Sequence, residues 1–78
     1  MPSRKEPDTQ KYSGRFAVRL RTLREKAGLT VEDIAALTSI PVQTLYNWER
    51  GKRQPPYDAL PILAQAYGVK IRTLLPEN

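Results

Sequence analysis

Seventy-eight residues, with 13 Lys and Arg against 8 Asp and Glu, give a net charge of +5 and a pI near 9.9: one small basic domain, suited to a polyanionic partner. With neither Cys nor His, disulfides, zinc fingers, thiol chemistry and His-based catalysis are excluded, and no nucleophile, base and orienter can be assembled from the rest, so no enzyme activity, metal or cofactor is expected. No apolar run approaches a membrane span and the N-terminus lacks an apolar signal region, so a cytoplasmic chain is expected.

Residues 1–13, MPSRKEPDTQKYS, carry two prolines, mixed charges and a single aromatic. They hold too little apolar surface to offset the entropy of ordering, which predicts a flexible arm ahead of a folded unit over 14–78. Arg4, Lys5 and Lys11 allow a second reading, a basic arm lying along phosphates or in a minor groove, which Glu6 and Asp8 weaken. Ser13 is the expected N-cap of a first helix that runs to about Ala27, with Gly28 in the C′ position. Phe16, Leu20, Leu23 and Ala27 fall within about a 60° arc and form its buried stripe. Arg24 flanks that stripe, while Arg15, Arg19 and Lys26 lie on a solvated face.

The stretch from Thr30 to Gly51 reads as two short helices joined by a tight turn. Thr30 caps the first, with Glu32 and Asp33 placing negative charge in its first turn, and Val31, Ile34, Ala35 and Thr38 share one stripe. Thr38 and Ser39 are poor helix-interior residues, and Pro41 disfavours the α region for Ile40. The helix therefore stops near Thr38, Ile40 plugs the elbow, and Pro41 starts the next helix, where a missing N–H costs nothing. There Leu45 and Trp48 face inward, and Gln43, Tyr46, Asn47 and Arg50 cluster on the opposite side. Gly51 then ends the helix, followed by the basic loop Lys52, Arg53 and Gln54. A fourth helix opens near Asp58, tolerates Pro61 in its first turn, buries Leu60, Leu63, Ala64 and Tyr67, and ends at Gly68. Val69, Ile71, Leu74 and Leu75 predict a short fifth helix closed by Pro76, serving core completion, a two-fold contact between subunits, or both.

Five segments carry a family resemblance: LREKAGLT at 23–30, the IA pair at 34–35, TLYNWERGKRQP at 44–55, LAQAYGV at 63–69 and the LL pair at 74–75. Over about residues 14–76 the chain resembles the lambda-repressor and Cro-like, xenobiotic-response-element type, helix-turn-helix domains of bacterial and phage regulators. The resemblance implies a compact all-α domain of five helices, with helices 2 and 3 forming the helix-turn-helix, and a transcriptional regulator, repressor sooner than activator. It also implies that Arg24 pairs with Glu49 and fixes the angle of the recognition helix. Two positions depart from the family pattern. Ser39 stands where a Gly is usual in the turn, and Val31 stands where many members carry a Gln that touches phosphate.

An α-helix fits the major groove, where each base pair presents its own donors and acceptors. Gln43 and Asn47, four apart on one face, suit adenine N6 and N7; Val42 and Thr44 suit thymine methyls; Tyr46 suits a base or a phosphate. Arg50, Lys52 and Arg53 are placed for phosphates, and Thr30 is a helix cap first and a phosphate contact second. One such helix reads only a few base pairs, so the expected assembly is a homodimer on a palindromic operator of double-stranded DNA. The alternative is an antitoxin-like or bridging module whose partner is a protein such as a toxin.

Overall fold

Five stretches with apolar side chains three and four apart close into helices: α1 (Tyr12–Lys26), α2 (Val31–Thr38), α3 (Val42–Glu49), α4 (Ala59–Tyr67) and α5 (Ile71–Leu74). The computed structural model describes residues 7–76. No strand occurs among the described residues, so the fold is the all-α arrangement expected from the sequence. Each helix contributes one large side chain that is essentially inaccessible: Leu20, Ile34, Leu45, Leu63 and Leu74 in order. Burying each of these stabilises the fold by roughly 1.5–3 kcal/mol. Ala17 and Ala59 are also buried, and their small side chains let neighbouring segments approach closely.

The start of α1 differs from the expectation of a Ser13 cap. Lys11 occupies the N-cap position without a side-chain hydrogen bond, and Ser13 lies inside the first turn. The cause is a turn just upstream. The Asp8 carboxylate accepts the Gln10 N–H at 3.0 Å, the Asp8 carbonyl accepts the Lys11 N–H at 3.0 Å, and the Lys11 carbonyl then accepts from Gly14 and Arg15 at 3.1 Å. Residues 7–11 therefore lie against the helices, whereas the arm residues Arg4, Lys5 and Glu6 fall outside the described residues. At the other end of α1, Ala27 is exposed and not part of the buried stripe. Gly28, at φ 76°, turns the chain and brings Leu29 back onto the core instead.

The helix-turn-helix is closed by side-chain hydrogen bonds at both ends of α2. Thr30 and Asp33 form a reciprocal capping box: the Thr30 hydroxyl accepts the Asp33 N–H at 3.0 Å, and the Asp33 carboxylate accepts the Thr30 N–H at 2.9 Å. The bond from the Thr30 backbone, then that from its side chain, holds the Asp33 carboxyl below its ordinary range. At the C-terminal end, the Thr38 hydroxyl donates to the Ile34 carbonyl at 2.7 Å and accepts the Ile40 N–H at 3.2 Å. Between them Ser39 adopts the left-handed conformation at φ 63°, the one non-glycine residue to do so among those described. Pro41 is the N-cap of α3, one residue outside the helix that it was expected to start, with its carbonyl accepting the Leu45 N–H at 3.1 Å.

Tyr67 closes the core beside the helix-turn-helix. Its hydroxyl is held protonated well above the usual tyrosine range, chiefly by burial and secondarily by the negative charge of Glu49. Leu74 is fully buried, but Ile71 and Leu75 on and after α5, and Ile62 on α4, remain exposed. The left-handed serine generates a stability prediction. Ser39→Gly relieves the contact between Cβ and the following carbonyl and should stabilise the fold by roughly 0.5–1 kcal/mol. Urea unfolding checks it, and an unchanged or lower midpoint means that the entropy glycine adds to the unfolded chain matches or exceeds the strain relieved.

Candidate nucleic-acid interface

Helix α3 has eight residues to divide between a core and a surface. Leu45, Trp48 and Glu49 are buried, while Gln43 and Arg50 are exposed. Gln43 donates from Nε2 to Oδ1 of Asn47 at 3.3 Å, so the two amides are linked along the outer face at the helical i, i+4 spacing. Gln43 still carries an acceptor and one further donor hydrogen, and Asn47 two donor hydrogens. Of the five expected base readers Gln43 alone is exposed; Val42, Thr44, Tyr46 and Asn47 are half-buried, with Val42 and Tyr46 packed partly against the core. The Tyr46 ring also supports Arg50, whose guanidinium carbon lies 5.5 Å from the ring centroid.

The basic loop is tied to the same residue that presents the outer amide. The Asn47 carbonyl accepts the Lys52 N–H at 3.0 Å and the Arg53 N–H at 3.3 Å, while the side chains of Lys52 and Arg53 are exposed. Arg50, Lys52 and Arg53 thus stand together at the end of α3. Thr30 lies at the start of α2, where its N–H donates to the Asp33 carboxylate and its hydroxyl oxygen accepts the Asp33 N–H, which leaves the hydroxyl hydrogen to donate elsewhere.

Arg24 and Glu49 meet in a two-point ion pair. Nε donates to Oε2 at 2.8 Å and Nη2 to Oε1 at 3.0 Å, and Nη1 donates to the Leu29 carbonyl at 2.9 Å. One planar guanidinium thereby joins α1, the connection to α2 and the last residue of α3. The hydrogen bond to Glu49 raises the proton affinity of Arg24 against the opposing effect of burial, with the Glu49 charge adding to it. Position along the helices brings Arg24 and Glu49 to the edge of the core and Tyr67 into it, but the Leu29 carbonyl as a third partner of Arg24 has no signature in the periodicity. Asp33 as the reciprocal capping partner was also missed, although the spacing of three from Thr30 signals it. Among the described residues no group of three or more acidic side chains could hold a metal ion, and no helix is long and apolar enough to cross a membrane.

The family described as helix-turn-helix domain matches residues 15–77. The chain belongs to this family. Its curated relatives are named HTH-type transcriptional regulators, and the solved structures that it matches include DNA-binding domains of the lambda-repressor, xenobiotic-response-element type. The HTH-type transcriptional regulator DdrOP3 of Deinococcus deserti is 42% identical over 57 residues, which are 73% of this chain and 44% of that protein. An uncharacterized HTH-type transcriptional regulator of Sinorhizobium fredii, y4dJ, is 45% identical over 62 residues, 80% of this chain and 77% of the relative. The chain spans 44% and 54% of the lengths of DdrOP3 and of the Bacillus subtilis regulator YobD. Among solved structures, the restriction-modification controller protein C.AhdI of Aeromonas hydrophila superposes with a TM-score of 0.73 at 33% identity, covering 77% of this chain and 91% of that one. The DNA-binding domain of BldD superposes at 0.74 with 28% identity, covering 83% and 94%.

The buried pair in this helix-turn-helix domain carries a prediction. Arg24→Ala leaves the Glu49 carboxylate buried and unpaired and should cost on the order of 3–5 kcal/mol of stability. Arg24→Lys, which keeps the charge but not the planar fork, should cost less. Denaturant unfolding of both variants measures this, and an unchanged midpoint for Arg24→Ala would mean that the pair contributes nothing to the fold.

Proposed function

We propose that this domain is a transcriptional repressor that binds double-stranded DNA in a sequence-specific manner, with α3 lying in the major groove. The observation that carries the reading is the linked Gln43 and Asn47 amide pair, presented on the outside of a helix whose other side is core and followed directly by Arg50, Lys52 and Arg53. Planar amides suit base edges and the cations suit the flanking phosphates, the division of labour of a site-specific binder. Gln43 is the principal base reader in this account, Asn47 its partner, Thr44 and the exposed edges of Val42 and Tyr46 the apolar and secondary contacts. Arg50, Lys52 and Arg53 hold phosphates, and Thr30 adds the start of α2 to that set.

One α3 covers too few base pairs for useful discrimination, so the working assembly is a homodimer on a palindromic operator. Exposed Ile62, Ile71 and Leu75 on the α4 and α5 side supply apolar surface for the subunit contact. The cytoplasm, where DNA is available, is the proposed location.

Selection of bound duplexes from a random pool tests this directly and should yield a symmetric site. On that site Gln43→Ala should lose roughly 1–3 kcal/mol of binding while random duplex is little affected. Lys52→Ala should weaken both duplexes alike and reduce the salt slope by about one. Equal losses on both duplexes for both variants would reject these roles, and a chain with no site preference would support the protein-adaptor alternative.

A further inference from the structure

Residues 7–11 form a strap across the junction of α1 and α3. Its turn is closed through Asp8, and Nη1 of Arg15 donates to the Thr9 carbonyl at 3.1 Å. Its seat is made by two glycines. Gly14 is buried, and a Cβ at that position would overlap the Asp8 carbonyl group and lie 2.9 Å from the Asp8 nitrogen. A Cβ at Gly51 would lie 3.6 Å from Cβ of Ala17, 3.7 Å from Cβ of Pro7 and 4.0 Å from Cα of Gly14. The strap, the first turns of α1 and the residue that follows Arg50 therefore meet at one point, immediately before Lys52.

Stability alone gives a poor account of this arrangement. Nε of Arg15 is buried and lacks a hydrogen-bond partner, while its guanidinium carbon sits 5.7 Å from the Tyr12 ring centroid. An unsatisfied buried N–H is a cost that the strap carries. What the strap does supply is a wall. Gly51, at φ 77°, turns the chain from α3 into the basic loop. The loop backbone is tied to the end of α3 by the Gly51 N–H on the Trp48 carbonyl at 3.2 Å and by the Lys52 and Arg53 N–H groups on the Asn47 carbonyl, while the strap closes the other side.

We infer that the strap 7–11 is a positioning element for DNA binding: seated on Gly14 and against Gly51, it sets where Lys52 and Arg53 stand relative to α3. This rests on the proposed phosphate contacts of the loop. Neither Gly14 nor the strap touches DNA in this account, and they act through Gly51.

The test uses the full chain, with the selected duplex and a random duplex, well below the melting temperature. Gly14→Ala must displace Asp8, and it should weaken both duplexes by the same factor, on the order of three- to tenfold, with a lower salt slope. Combined with Lys52→Ala it should add little to the loss from Lys52→Ala alone, because both act on the same contact. Asp8→Ala removes the carboxylate that accepts the Gln10 N–H and so loosens the strap without crowding α1. Loss of its negative charge would by itself tighten binding to a polyanion, whereas loss of positioning weakens it, and weakening is expected. Hydrogen exchange at the Lys11 amide should quicken in both variants.

A folded Gly14→Ala variant with wild-type affinity, or a loss fully additive with that of Lys52→Ala, overturns the inference. Should Gly14→Ala fail to fold, unchanged or tighter binding by Asp8→Ala overturns it equally. These outcomes leave the DNA-binding proposal standing as long as Gln43→Ala and Lys52→Ala behave as stated. A wild-type chain that binds no duplex removes both.

Discussion

One guanidinium ties the end of α3 to the rest of the fold. Arg24 reaches from α1 to both carboxylate oxygens of Glu49 and to the Leu29 carbonyl, so three segments that hydrophobic contact would leave free to slide are given fixed relative positions. Apolar packing is non-directional and tolerates small rotations of a helix about its axis. A charge-assisted, two-point hydrogen bond at the very end of an eight-residue helix does not. The buried carboxylate is costly to desolvate, so the pair is better understood as a specifier of geometry than as a source of net stability. In the proposed complex that geometry decides which side chains meet the base edges.

The same constraint explains the compromise along α3. Eight residues must bury Leu45 and Trp48, bring Glu49 to Arg24 and still present an outer face. Val42 and Tyr46 are shared between core and surface as a result, and Tyr46 spends its ring on both the core and Arg50. Gln43 and Asn47 are the two amide side chains of α3, and each keeps hydrogen-bonding groups outside the bond between them. The loop cations inherit their placement from the Asn47 carbonyl on one side and, by the inference drawn above, from the strap on the other.

Much of this was legible in the sequence because the helical period and the chemistry of helix ends are local. Leu20, Ile34, Leu45, Leu63 and Leu74 lie on the stripes that the period defines, and Thr30, Gly28 and Gly68 mark helix ends by their chemistry. The misread features turn on details that the helical period does not carry. Ser13 has the chemistry of a cap, but the Asp8 turn starts the helix earlier, and no hydrophobic pattern announces a turn made of polar residues. Ala27 continues the stripe by angle, yet it is the C-cap just past the end of α1 and is exposed. The roles of Gly14 and Ala17 lie in how closely another segment approaches them, which composition cannot encode. In the site, the linkage of Gln43 to Asn47 follows from spacing, whereas the attachment of Lys52 and Arg53 to one backbone carbonyl does not.

The account turns on which surface of this helix-turn-helix domain meets a duplex. An NMR titration with DNA selected from a random pool, following the side-chain amide signals of Gln43 and Asn47, addresses that most directly. Those two signals, with the backbone amides of Lys52 and Arg53, should shift first and furthest, while the Arg24 Nε–H signal stays in place as the helix angle is retained. Unmoved Gln43 and Asn47 amides, with the shifts gathered instead on α4 and α5, would contradict it.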